Sequence, residues 1–364
     1  MKKIFLGLVL LLVSTGAIFA QSSILATLSH EGEISVFYGA DALKEAHAAA
    51  THGDAITLSS GSFNAANITK AITLRGAGMA IDTLKNTYPT VINGSFNIEI
   101  GDSVSKQLTV EGIYNNHTIT VKKGLNNATF IKNRLSTILY EAVVNDTAQY
   151  QNNRFIHCKI ATRFFGPLYS SNESFSFINS YIRSIYKQSS NSIFTNCIIH
   201  NNASSFYNHN GVKYYSSLSS LTNCTFYNCI FIGTTNEGSN YNTFKVGNLV
   251  YNCIATGLYA DNIKTSSAYY TFNNINNSTN HCIQSMSSVF KSFTGKYMDN
   301  ETFELVEDIK TKYTGTDGTE IGIHGGSLPF FPTPTNPQIT KCNVASRSTA
   351  DGKLSVDIEV KAGE

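Results

Sequence analysis

Side chains able to do acid–base or metal chemistry are sparse and scattered in this chain. Between residues 130 and 300 the carboxylates are Glu141, Asp146, Glu173, Glu237, Asp261 and Asp299, and no two are neighbours or alternate along a strand. A hard cation needs several oxygen ligands converging at one point, so no metal site is expected. Glycoside hydrolysis needs carboxylates roughly 5–10 Å apart, which this spacing does not write. Arg134, Arg154, Arg163 and Arg183 recur at intervals, and Arg134 and Arg154 each directly follow an Asn; they are expected to decorate an outer face. His52-Gly53-Asp54 comes nearest to a catalytic triplet but sits just ahead of the first regular strand pattern, where a corner role is expected; His324, before Gly325-Gly326, reads as a turn residue. His157, His200, His209 and His281 share no ligand spacing, and neither a His-Glu-x-x-His nor a Gly-x-Ser-x-Gly motif is present. No catalytic residue and no cofactor can be assigned.

The longest segment between strand patterns, His200 to Ser220, carries Tyr207, His209, Tyr214 and Tyr215. Long loops on a rigid scaffold are where binding residues concentrate, and Tyr beside Asn suits a sugar, with a ring face for C–H surface and amides for hydroxyls. These four are the expected ligand-binding residues.

What positions them is a repeat. An aromatic or apolar residue shortly before an Asn recurs at Phe130/Asn133, Tyr150/Asn153, Phe177/Asn179, Phe194/Asn196, Leu221/Asn223, Val250/Asn252 and Tyr270/Asn273. The Asn residues stand 20, 26, 17, 27, 29 and 21 residues apart. A period in the twenties with a variable remainder is the mark of a solenoid of short strands and unequal loops. Asn tolerates a left-handed bend better than other non-Gly residues, so the expectation is one ladder of seven amides, Asn over Asn, with the aromatic residues stacked beside it. About ten turns of chain fit between residues 55 and 275, a rod roughly 45–50 Å long at the usual strand spacing. Cys197, Cys224, Cys229 and Cys253 each follow an Asn; a small residue repeated at one structural position points to buried free thiols filling an interior column.

Lys2-Lys3, the apolar run Ile4–Val13 and the small residues up to Ala20 read as an export signal over 1–20, placing the mature protein outside the cell, in the periplasm or at the cell surface. No later run is long enough for a transmembrane helix. With 14% charged residues and a net charge of +2, and no Lys/Arg cluster, nucleic acid is not an expected partner. Asp41 to Ala50 reads as a short amphipathic helix. Ala55-Ile56-Thr57-Leu58 and Ala71-Ile72-Thr73-Leu74 read as two strands sixteen residues apart. Phe331 to Pro337 is a Pro-rich linker, and 338–364 a strand tail with a turn at Asp351-Gly352.

The helix, Gly53-Asp54-Ala-Ile-Thr-Leu-Ser-Ser-Gly61, Ile72-Thr-Leu-Arg-Gly76-Ala-Gly78 and the Asn repeats resemble the right-handed parallel β-helix proteins of the pectate-lyase-like superfamily. The stretch Gly322 to Phe330 resembles the last turn of secreted β-helix proteins of the Bacteroidetes type. The resemblance implies an all-β, right-handed parallel β-helix over 21–330 whose open end is capped by the helix near 41–50. Its lyases and hydrolases use clustered carboxylates, but the polygalacturonase motifs Asn-Thr-Asp, Asp-Asp, Gly-His-Gly and Arg-Ile-Lys do not occur here. The expected function is therefore non-catalytic recognition of a glycan or another surface along the rod. The alternatives are a polysaccharide lyase or glycoside hydrolase, and a structural component docking through its C-terminal strands. Oligomeric state is not legible.

Overall fold

The structure is a computed structural model. It describes residues 24–81, 88–141, 148–167, 173–186, 189–201, 206–209, 212–215, 221–233, 244–245, 247–257, 269–270, 279–283, 285–333, 338–344, 347–349, 351–353 and 355–361. The expected signal 1–20, Asn273, residues 334–337 of the linker, and Asp146, Glu237 and Asp261 lie outside the described residues.

Two long sheets carry the molecule. From Ala55 onward the chain passes back and forth between them, laying one strand in the first sheet and one or two in the second at each circuit, and each return lies parallel to the previous one. The first sheet ends this series at Leu249–Tyr251 and the second at His281–Ile283. This is an all-β arrangement consistent with a β-helix. Strands of two to nine residues, most of them three or four, suffice because each buries only a few inward side chains, and cross-strand stacking with the circuits before and after supplies the rest.

The interior is a set of columns. Phe130, Phe155, Phe177, Phe194 and Phe226 are fully buried, in register along the first sheet. Successive ring centroids are 4.8, 4.9, 4.8 and 4.8 Å apart, each pair within 14° of parallel. That distance is the strand spacing itself, so the stack needs no bending of backbone. Aromatic stacking was expected, but the occupants differ in part: Phe155 and Phe226, not Tyr150 and Leu221, continue the column. Cys158, Cys197, Cys229 and Cys253 form a second buried line, interrupted by Ser180, at the entry to the second sheet. Cys224 sits in a different line, ahead of the first-sheet strand. Cys158, Cys197, Cys224, Cys229 and Cys253 are buried and none is in a disulfide, and burial pushes the thiols of Cys158 and Cys224 up to about 12, which makes these two packing groups rather than nucleophiles. The Ala-Ile-Thr-Leu pair is offset: Ile56 lies beside Leu74 and not Ile72. A two-residue slip preserves the in/out alternation, so the sequence pattern survives it.

The first end is closed by an antiparallel hairpin, Leu25–His30 with Glu33–Tyr38, whose inner strand pairs with Ala55–Leu58. Helix Ala42–Ala49 buries Ala42, Leu43 and Ala46 in the same core, and its buried His47 accepts from Thr69 N at 3.2 Å. His52 and Asp54 hold this corner. His52 Nδ1 accepts from Ala71 N at 2.9 Å, and the Asp54 carboxylate accepts from Thr51 N at 2.6 Å and meets His30 Nδ1 at 2.9 Å.

Residues 285–331 are not a closing turn stacked on the last circuit. They run outside, back along the outer face of the second sheet, and form a second core in which Val289, Phe290, Phe293, Phe303, Leu305 and Ile323 meet Tyr181, Ile198, Ile230 and Ile254. The reason is visible in the strands: Ile198, Ile230 and Ile254 sit at one outward register position, an apolar stripe that water would not tolerate uncovered. At the C-terminus, Gln338–Val344 pairs antiparallel with Val356–Lys361.

Candidate functional site

Of the seven amides expected in one ladder, the six that lie among the described residues occupy four different lines. Asn179, Asn196 and Asn252 belong to the corner that leads from the first sheet to the second; each sits three positions beyond the equivalent first-sheet residue, with φ of 44–53°. Asn228 completes that line at φ 54°, and Lys132 and His157 occupy the same position in earlier circuits at 52° and 53°. Asn223 lies at the opposite corner, ahead of the first sheet. Asn133 and Asn153 are buried stitches between circuits: Asn133 Nδ2 donates to Val110 O at 2.8 Å and its Oδ1 accepts from Ile113 N at 3.0 Å. Asn153 does the same with Leu125 O and Ala128 N, and Asn248 and Asn280 repeat the device further on. A single ladder fails because one Asn type serves two needs, left-handed backbone and a buried amide bridging two peptide groups.

The line through Asn179, Asn196, Asn228 and Asn252 does not face a ligand. Residues 314–331 lie on it. Asn252 Nδ2 donates to Thr314 O at 3.0 Å, and Asn228 Oδ1 accepts from Thr316 N at 2.8 Å while its amide donates to Asn196 Oδ1 at 3.0 Å. Asn179 Nδ2 donates to both Ile323 O and Gly325 O, at 2.9 and 2.7 Å. His157 meets Leu328 O at 2.9 Å and Lys132 lies over the Phe331 ring. A Cβ on Gly325 would collide with the Glu320 carbonyl, so the approach to Asn196 is open only to glycine there.

The returning segment also covers the charges. Arg134 Nε donates to Asp299 Oδ1 at 2.8 Å, and Tyr297 and Tyr114 donate to the same carboxylate at 3.0 and 3.3 Å. Lys159 Nζ donates to the carbonyls of Asp299 and Glu301. Arg134 thus latches the segment and does not decorate a free surface. Burial raises the Asp299 carboxyl's proton affinity, but Arg134 and the phenols outweigh it and the net shift is downward. Burial drives the Tyr114 phenol upward and brings Lys159 down to about 8. Asp299 and Tyr114 are moved away from neutrality, opposite to what acid–base catalysis uses, and the Lys159 ammonium is spent on two backbone carbonyls.

Under the same cover, Tyr181 Oη and His200 Nδ1 share a hydrogen bond of 2.8 Å, and burial lowers His200 to about 3. The folded state therefore binds this proton less readily than the unfolded chain, whose His titrates near 6.5. Stability from this group is complete above pH 6.5 and is lost as pH falls towards 3, at no more than about 1.4 kcal/mol per pH unit. In urea titrations between pH 4 and 6.5, His200→Gln is expected to flatten this slope relative to wild type.

Among the described residues, what stays open is the outer face of the first sheet. One outward line reads Thr129, Arg154, Ser176, Ile193, Thr225, Leu249, and the next reads Ile131, Ile156, Ile178, Thr195, Tyr227, Tyr251. Ile193, Leu249 and Tyr227 are 48%, 51% and 37% exposed, large values for apolar groups that stand together. The Tyr227 and Tyr251 rings stack at 5.2 Å. Along one border runs an exposed Asn line, Asn127, Asn152, Asn191 and Asn223, interrupted by Ser174 and left-handed at φ 52–58° at each Asn; Asn152 Nδ2 donates to Asn127 Oδ1 at 3.3 Å. Of these, sequence reasoning singled out Asn223 alone. The signal that finds the rest is the distance to the stacked ring: each exposed Asn lies three residues before a column Phe, and each corner Asn of the 179–228 line two residues after one, as in Asn191-Ser-Ile-Phe194-Thr-Asn196.

Phe206–His209 and Val212–Tyr215 form an antiparallel hairpin that sets Tyr207 opposite Tyr214, Phe206 opposite Tyr215 and His209 opposite Val212. In the chain it leaves the second sheet after Ile198–Asn201 and returns to the first through Asn223, at the Asn-bordered edge of the open face. Among the described residues, no three His, Cys, Asp or Glu side chains come together in a way that could hold a metal ion. No protein-family model matches the chain, and comparison with curated proteins and with solved structures finds no match.

Proposed function

We propose that this is an exported right-handed parallel β-helix of about ten circuits, akin to the pectate-lyase-like proteins, which binds polysaccharide or a cell-surface glycan without cleaving it along the outer face of its first sheet. One observation carries the reading: of the two long outer faces, the second is covered by residues 285–331 from Tyr114 to Ile254 while the first presents exposed amides beside apolar side chains and a stacked tyrosine pair. Flat apolar and aromatic surface suits the C–H faces of sugar rings, and carboxamides both donate to and accept from hydroxyls. The acidic residue on this face, Glu111, is nearly buried and lies 3.6 Å from Arg75. The right-handed sense follows from the general preference for right-handed crossovers between parallel strands.

Affinity electrophoresis against a panel of neutral and acidic polysaccharides tests this. At least one is expected to retard the protein, and replacing both Tyr227 and Tyr251 by Ala is expected to weaken that binding about tenfold, or 1.4 kcal/mol. Retardation unchanged in the double variant removes the face from consideration. Release of unsaturated or reducing ends from any polymer establishes the lyase or hydrolase alternative instead.

A further inference from the structure

The first end of the molecule is closed almost everywhere. The second sheet's first strand, Gly61–Asn64, is covered by the loop before the helix, with Asn64 N donating to Ala40 O at 2.8 Å and Asn64 Nδ2 to Asp41 Oδ1 at 2.9 Å. The helix seals the core between the sheets. The exception is Glu33–Tyr38. It stands first in the strand order of the first sheet, paired on one side with Leu25–His30, and among the described residues no strand pairs with its other side. Edge strands are ordinarily protected by Lys, Pro, a bulge or a covering loop. Here Glu33-Ile-Ser-Val-Phe-Tyr38 contains no Lys, Arg or Pro and pairs with its neighbour without a break in register. Ile34, Val36 and Tyr38 are 70%, 44% and 53% exposed and share one face.

We propose that this strand is a self-association edge: the same strand of a second copy pairs with it antiparallel about Val36, joining two first sheets into one across a twofold axis. The register follows from the side-chain pattern. With Val36 opposite Val36, Ile34 faces Tyr38 and Ser35 faces Phe37, so each residue meets one on the same side of the sheet. The charges agree, because Glu33 of each copy falls beside the Gly39 end of the other strand, far from its own counterpart. A one-residue slip would set outward Ile34 against inward Phe37. An edge that pairs with its own copy closes on itself as a dimer and leaves no new edge for further addition.

The experiment uses the chain from Gln21, with mass measured by light scattering after gel filtration across a wide concentration range. Wild type is expected to reach twice the monomer mass. Val36→Lys and Val36→Glu, each placing like charges face to face on the axis, are expected to return to monomer mass with unchanged circular dichroism and with the melting temperature of wild type diluted to its monomer. Mixing the two variants is expected to restore the doubled mass, which no folding defect can imitate. A wild type that stays monomeric at its highest soluble concentration overturns the proposal. So does a dimer that persists in both variants, or one lost on deleting residues 338–364, which would assign association to the C-terminal hairpin.

Discussion

Phe177→Ala is expected to destabilise the protein by about 3–5 kcal/mol, the usual cost of removing a buried Phe. Phe177 is fully buried, stacked on Phe155 at 4.9 Å and Phe194 at 4.8 Å, and meets Phe164 edge-on at 5.0 Å. Collapse of the cavity is opposed by both neighbouring strands, whose backbones are fixed by hydrogen bonds on either side. Against a total stability of about 5–15 kcal/mol the loss is large. Its form is as informative as its size. In a repetitive structure each circuit contacts only its neighbours, so a break at the middle of the column is expected to split one urea transition into two, one for each half. Circular dichroism in urea reads both. A single transition with a shift below 1 kcal/mol would contradict the continuous aromatic column.

Asn179→Ala should release the returning segment. Its amide donates to two carbonyls of that segment, Ile323 O and Gly325 O, and its backbone is left-handed. Each orphaned buried carbonyl costs about 1–3 kcal/mol, and Ala in a left-handed conformation adds roughly 1–2 kcal/mol. Two further variants separate these contributions. Asn179→Gly relieves the backbone but donates nothing, while Asn179→Asp keeps the shape and sets a carboxylate against the carbonyls. Hydrogen exchange should quicken in residues 285–331 for all three, least for Gly, while the column strands stay protected. Equal exchange in wild type and Ala variant would show that the corner amides do not hold the segment.

The architecture was legible because its cause is local. Short alternating strands, a twenties period and aromatic residues at one phase each follow from stacking identical positions at the strand spacing. The small residues after Asn were readable as an interior line for the same reason, with Cys224 the exception that belongs to another corner. The Asn ladder was misread because doublets such as Asn152-Asn153 place one amide outside and one inside, and composition does not say which. Only the parity of the distance to Phe155 does. The returning segment left almost no trace. Its contacts, Arg134 with Asp299 and Asn179 with Gly325, join residues separated by 165 and 146 positions, beyond the reach of any local pattern. The open face was inaccessible until that segment had been placed, since before then both outer faces read as equally free.

Hydroxyl-radical footprinting, with and without the tightest-binding polysaccharide from the screen, most directly tests which face is open and used. Tyr227 should be modified in the free protein and Tyr181 should not, and adding polysaccharide should protect Tyr227, Tyr251 and Leu249 together. Protection confined to residues 285–331, or rapid modification of Tyr181 in the free protein, would contradict the assignment of a covered second face and a binding first face.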